Sequence, residues 1–133
     1  MTPYKENHKR LLEELEYLLK EAIVSVEKTD EMLLSMIASY RSMNLAQLEA
    51  MQSSKNQESD LNIQINTLIK VSEKAKNSVD EIGKFSKSIQ STIDKDEKLS
   101  TSLNKENMIL NELINKFYND YELFLDEVKL YLL

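Results

Sequence analysis

Residues 61–93 read LNIQINTLIKVSEKAKNSVDEIGKFSKSIQSTI, and Leu61, Ile65, Leu68, Ser72, Ala75, Val79, Ile82, Ser86, Ile89 and Ile93 follow one another at alternating intervals of four and three. That rhythm holds all of them on one side of an α-helix and matches no strand, whose faces alternate every two residues. The segment also carries Gly83, the only glycine in a chain of 133 residues. Beside Ile82, at the edge of the stripe, it costs a helix ~1 kcal/mol relative to alanine. Either a neighbouring backbone comes close there or the residue is tolerated, and the sequence favours tolerance.

Downstream, the stripe turns polar at Asp96, Ser100 and Asn107. Asp94 and Glu97 have the spacing of a capping pair, and TSLNK (101–105) offers softer caps, so a turn is expected near 94–102. Beyond it Leu103, Leu110, Ile114, Phe117, Tyr121, Phe124, Val128 and Tyr131 resume the stripe, flanked by Leu113, Tyr118, Leu125 and Leu132. Because the seven-residue register is unbroken from Leu61 to Tyr131, one helix over 61–131 is the alternative, roughly 105 Å long at 1.5 Å per residue. The turn is preferred, since a lone rod would leave a wide apolar stripe without partners.

Upstream, QSSKNQESD (52–60) is polar, and Ser54 with Gln57 resembles a capping box, which places another turn. Before it, Thr2 and Pro3 form a helix start. One row runs Leu11, Leu15, Leu18, Ala22, Ser25, Thr29, Met32, Met36, Ser39, Met43, Ala46, Ala50; a second, one residue on, runs Leu12, Leu19, Val26, Leu33, Tyr40. The first is taken as the main stripe and the second as its flank, and together they suit a helix with two or more neighbours. Thr29 and Asp30 are also fit to cap a new helix. The expected fold is all-α: a single-domain antiparallel bundle of three long helices over about 3–53, 57–93 and 98–132, or four if the first breaks at Thr29 and Asp30.

Composition closes off other classes. With one glycine, one proline and no cysteine, the chain lacks the turn residues of a strand-rich fold and any disulfide or thiolate metal site. A net charge of -6 without a basic run argues against nucleic-acid binding. No segment approaches the ~20 apolar residues of a membrane span, and MTPYKENHKR has no signal-peptide core. A cytoplasmic protein is expected, with export by a route independent of a signal peptide as the alternative.

Chemistry is sparse. His8 is the only histidine, so histidine triads, multi-histidine metal sites and the Glu-x-x-His motif of di-iron bundles are not available. One glycine cannot make a phosphate loop. Glu13 with Glu14, and Asp94 with Asp96 and Glu97, read as solvated or helix-start charges rather than a calcium site. No enzyme activity, cofactor, metal or small-molecule substrate is therefore expected.

Interaction is what remains. Met32, Met36, Met43 and Met51 suit either a pliant binding face or core filling, with filling preferred. The stretch KFYNDYELFLDEVKLYLL (116–133) is the chief candidate surface, and the partner-binding residues expected are Phe117, Tyr118, Tyr121, Phe124, Leu125, Val128, Tyr131 and Leu132. Their partner would be a helical protein, a further copy of the chain, or both, and the function expected is that of a non-catalytic adaptor, scaffold or chaperone.

Tyr118 and Glu122 have the Tyr-x-x-x-Asp/Glu spacing of an export signal. With its small, acidic, cysteine-free helical build, the chain is similar to the type VII secretion substrates and accessory partners of Gram-positive bacteria. It departs from them in lacking tryptophan, and so the Trp-x-Gly turn of those hairpins. By helix count it also resembles the regulatory three-helix domain of syntaxin-like proteins, which implies membrane tethering or vesicle association, with LYLL leading toward an anchor. An acidic decoy of nucleic acid fits less well, because lysines are interspersed among the acids.

Overall fold

The computed structural model describes the backbone of residues 3–50, 56–95 and 101–132, and the side chains of 9–43, 63–95 and 103–129. The chain forms three helices, α1 (Pro3–Ala50), α2 (Asn56–Lys95) and α3 (Thr101–Leu132), and each packs against both others. No strand occurs among the described residues.

Cross-helix bonds fix the directions. Tyr40 Oη donates to the Glu127 carbonyl at 3.0 Å, and one helical stretch earlier Lys116 bonds Asp30, so α1 and α3 run parallel. Ser86 meets Asn107 and Asp80 meets Tyr118, so α2 runs against α3. This rules out one helix over 61–131. The unbroken register is therefore a feature of the spacing between two helices and not of a continuing backbone. Positions 51–55 and 96–100, with Ser54 and Glu97, lie outside the described residues. Asp94 sits within α2, where it accepts from Gln90 Nε2 at 3.0 Å, so it does not cap α3.

Nor does α1 break at Thr29 and Asp30. The Thr29 hydroxyl donates back to the Ser25 carbonyl at 2.8 Å, and Asp30 is buried against α3 with its carboxylate on Lys116. Both side chains are engaged within a continuous helix, leaving neither free to cap a new one.

On α2 and α3 the buried rows are those of the spacing: Ile65, Ser72, Ala75, Val79, Ser86 and Ile89, then Leu103, Leu110, Ile114, Phe117, Tyr121, Phe124 and Val128. On α1 the flank joins half of the main stripe in the core. Leu19, Val26, Leu33 and Tyr40 of the flank are buried with Ala22 and Met36 of the stripe, and Leu15, Thr29 and Met43 are half-buried, whereas the stripe's other members Leu11, Leu18, Ser25, Met32 and Ser39 are exposed. The Leu19 row is large and apolar at every seventh position, while the Leu18 row contains two serines. Turning the latter inward would desolvate hydroxyls and return Leu33 and Tyr40 to water, at ~2 kcal/mol for each large side chain. Met36 fills the core, as expected for a methionine there, but Met32 does not.

Rings dominate the centre. Phe124 meets Tyr40 edge-on with centroids 6.2 Å apart, and Phe117 stacks on Tyr121 at 6.2 Å. Beside them, a Cβ added to Gly83 would meet only Tyr118 Oη, at 4.0 Å, an ordinary contact. The glycine is tolerated rather than required, and no backbone crowds it.

One polar layer crosses the core between α2 and α3. The Ser86 hydroxyl lies 2.8 Å from Asn107 Oδ1 and 2.9 Å from Asn111 Oδ1, while Asn107 Nδ2 donates to the Ser86 carbonyl and to Gln90 Oε1, both at 3.2 Å. Asn107 is fully buried yet satisfied. Sliding α3 along α2 by one turn would strand that amide in an apolar layer, at ~1–3 kcal/mol for each unpaired group.

Candidate interaction surface

The structure divides the expected partner-binding residues. Phe117, Tyr121, Phe124 and Val128 are buried in the chain's own core, so their apolar surface is already covered by α1 and α2. Tyr118 and Leu125 are half-buried, packed against that core. The side chains of Tyr131 and Leu132 lie outside the described residues. The aromatic richness of α3 serves the bundle itself: as the shortest helix, it is packed by two longer ones.

Between neighbouring helices run three seams, and they differ in charge. At the α1/α3 seam Lys116 Nζ bonds both Asp30 and, at 3.2 Å, Asp120, and Arg41 grips the Glu127 carboxylate at 2.6 Å. Asp30 is the most constrained of these groups. Its Oδ1 is buried with no hydrogen-bond partner. Burial, then the adjacent Asp120 carboxyl, raises the Asp30 pKa above its ordinary value, against the pull of Lys116. The Lys116 ammonium is in turn raised by Asp30 and then by Asp120.

At the α2/α3 seam Tyr118 Oη donates to Asp80 Oδ1 at 2.5 Å, and Lys76 reaches Asp80 Oδ2 at 3.0 Å. The tyrosine hydroxyl, then Lys76, lowers the Asp80 pKa. Burial and then Asp80 push Tyr118 up to about 12. This tyrosine belongs to the export-signal spacing, and its hydroxyl is held by α2, while Glu122 is exposed.

The α1/α2 seam is different. On α1, Asp30 and Arg41 mark the flank facing α3, so the residue just before each core position faces α2: Leu11, Leu18, Ser25, Met32 and Ser39. On α2, Asp80 and Gln90 mark the α3 flank, so the row facing α1 is Gln64, Val71, Ser78, Phe85 and Thr92. Neither row contains a charge. Leu18 (46%) and Met32 (41%) are well exposed, Val71 is exposed and Phe85 is half-buried. Thr92 turns its hydroxyl back to the Ser88 carbonyl at 3.1 Å and so presents its methyl group. By contrast, the cross-helix side-chain bonds described above all run to α3.

The sequence contained a signal for this strip. Every seventh residue from Leu11, and every seventh from Gln64, is uncharged in a chain in which 30% of residues are charged. Taking the α1 row for core concealed it.

Among the described residues no group of three His, Cys, Asp or Glu side chains is placed to hold a metal ion, and no helix is long and apolar enough to cross a membrane. No family model matches the chain, and no significant match exists among curated proteins or solved structures.

Proposed function

We infer that the chain is a non-catalytic interaction protein that binds a helical partner along the outer edge of its α1/α2 seam. One observation carries this reading: an uncharged, partly apolar strip runs from Leu11 to Ser39 on α1 and from Gln64 to Thr92 on α2, while the other two seams are cross-linked by charged or polar side chains. A groove between two helices, with large side chains separated by serines, accepts the ridge of another helix, and burial of the half-exposed Leu18, Met32 and Phe85 would drive the association. The site expected from sequence on α3 moves with this reading to the opposite side of the bundle.

The test is photo-crosslinking in the cells that make the protein. A crosslinking amino acid at Met32 or Val71 should capture a helical protein, whether a second copy or another chain. The same group at the exposed, charged positions Lys20 and Glu122 should capture little. Equal, weak capture at all four positions would contradict the reading.

A further inference from the structure

We propose that the occupant of the α1/α2 seam is a second copy of this chain, laid face to face about a two-fold axis parallel to the helices, so that each α1 covers its partner's α2. This rests on the reading of the seam as an interaction face, and it adds the identity of the partner.

The argument begins with register. Residues level on α1 and α3 differ by 86 or 87 in number, as Asp30 with Lys116 and Tyr40 with Glu127 do. Level pairs on α2 and α3, such as Ser86 with Asn111 and Asp80 with Tyr118, have numbers whose sum is close to 197. Level positions on α1 and α2 therefore have numbers whose sum is about 110. Leu18 is level with Thr92, Ser25 with Phe85, Met32 with Ser78, and Ser39 with Val71. At each of these levels one helix carries a large apolar group and the other a small one.

A two-fold axis along the bundle brings each residue over the level position of the partner's other helix. Leu18 then meets the partner's Thr92, Phe85 meets the partner's Ser25, Met32 meets the partner's Ser78, and Val71 meets the partner's Ser39. Large faces small in every layer, which is how interior layers interdigitate without voids or clashes. The four helices at the interface alternate in direction, the arrangement of an antiparallel four-helix bundle.

Charge agrees with packing. Just outside the uncharged rows, α1 carries Glu14, Glu21, Lys28 and Ser35, and α2 carries Lys95, Ser88, Glu81 and Lys74 at the matching levels. Under the same symmetry Glu14 faces the partner's Lys95 and Lys28 faces the partner's Glu81. Glu21 and Lys74 face serines, so no like charges meet at the same level of these rows; Glu81 also holds Lys84 of its own helix at 3.1 Å. Each opposite pair occurs twice, as a two-fold interface requires. The level pairs run from Leu18 to Ser39, ~32 Å at 1.5 Å per residue, and two helices side by side make the strip roughly 18 Å wide. Its area, about 570 Å² per partner, lies at the low end of the range for specific interfaces.

Sedimentation equilibrium of the full chain, from about 1 to about 100 μM, tests this. The wild type should dimerise. Met32→Glu, an exposed change that leaves the monomer folded, should weaken dimerisation on the order of a hundredfold by placing two unpaired carboxylates in the interface. Lys28→Glu should weaken it several-fold, and Lys28→Glu with Glu81→Lys should restore it. Leu123→Glu, exposed on α3, should have no effect. A strict monomer at the highest concentration, or a dimer indifferent to Met32→Glu, would overturn the proposal. If the chain is monomeric but crosslinks from Met32 to a different helical protein, the dimer fails and the interaction reading stands; with neither dimer nor crosslink, both fail.

Discussion

Tyr118 donates its hydroxyl to the Asp80 carboxylate across the α2/α3 seam at 2.5 Å, and each group changes the acidity of the other. Tyr118→Phe removes a hydrogen bond to a partly exposed charge and should lower stability by ~1 kcal/mol in urea unfolding at pH 7. The pH signature is more specific. Because the folded state raises Tyr118 from 10.0 to about 12, the contribution of its proton is complete below pH 10 and is lost as pH rises toward 12. Asp80 is lowered, so its contribution is lost only in acid, as pH falls below the ordinary aspartate value of 3.8. The phenylalanine variant should show a smaller alkaline loss between pH 10 and 12 than the wild type; an equal loss would place the titrating group elsewhere.

The Asp30 carboxyl carries the opposite acid response. It is raised above 3.8, so the native state binds this proton more tightly than the unfolded chain does, and the group's contribution to stability grows as pH falls toward 3.8. Asp30→Asn keeps the volume, brings an amide donor toward Asp120 and abolishes that titration. Carbon-13 shifts of the aspartate side chains should show Asp30 titrating above the ordinary range, and Asp120→Asn should bring it down. An Asp30 that titrates normally would remove the physical basis for this pair.

Gly83 faces open space apart from the Tyr118 hydroxyl. Gly83→Ala should therefore stabilise the protein by ~0.5–1 kcal/mol, the helix-propensity difference, with no change in helix content. Destabilisation on thermal or urea unfolding would mean that a neighbour lies closer than the 4.0 Å contact allows.

Position within the stripe determines the cost of truncation. Phe117→Ala and Phe124→Ala should each cost ~3–5 kcal/mol, because both rings are fully buried. Leu18→Ala, one residue away from the equivalent core position on α1, should change the monomer's stability by no more than ~0.5 kcal/mol, measured where the chain is monomeric. Comparable losses at Leu18 and Leu19 would restore the Leu11 row to the core.

Much of this architecture was legible in sequence, and the reasons are particular. The rows of α2 and α3 were plain because alternation of four and three left no rival stripe. On α1 two adjacent rows were both rich in leucine. What separates them is partly local, since the Leu18 row carries Ser25 and Ser39 where the Leu19 row is apolar throughout, and partly long-range: Asp30 meets Lys116, and Arg41 meets Glu127, with the Leu19 row inward. Periodicity alone does not contain the second part. Asn107 suggested a turn because a buried amide looks misplaced on an apolar stripe, and only the meeting of Ser86, Gln90 and Asn111 around it satisfies it. The aromatic end of α3 suggested a partner surface for the converse reason, since apolar richness does not say whether the partner belongs to the same chain.

Methionine oxidation tests the central claim, that the α1/α2 seam is covered by another helix, most directly. Met32 lies on the seam and Met108, 56% exposed, lies on α3 away from it. In the purified chain at high dilution both should oxidise readily, which sets their baseline ratio. Inside the cells that make the protein, mass spectrometry should find Met32 protected several-fold relative to Met108. The same ratio in cells as at high dilution would contradict the account.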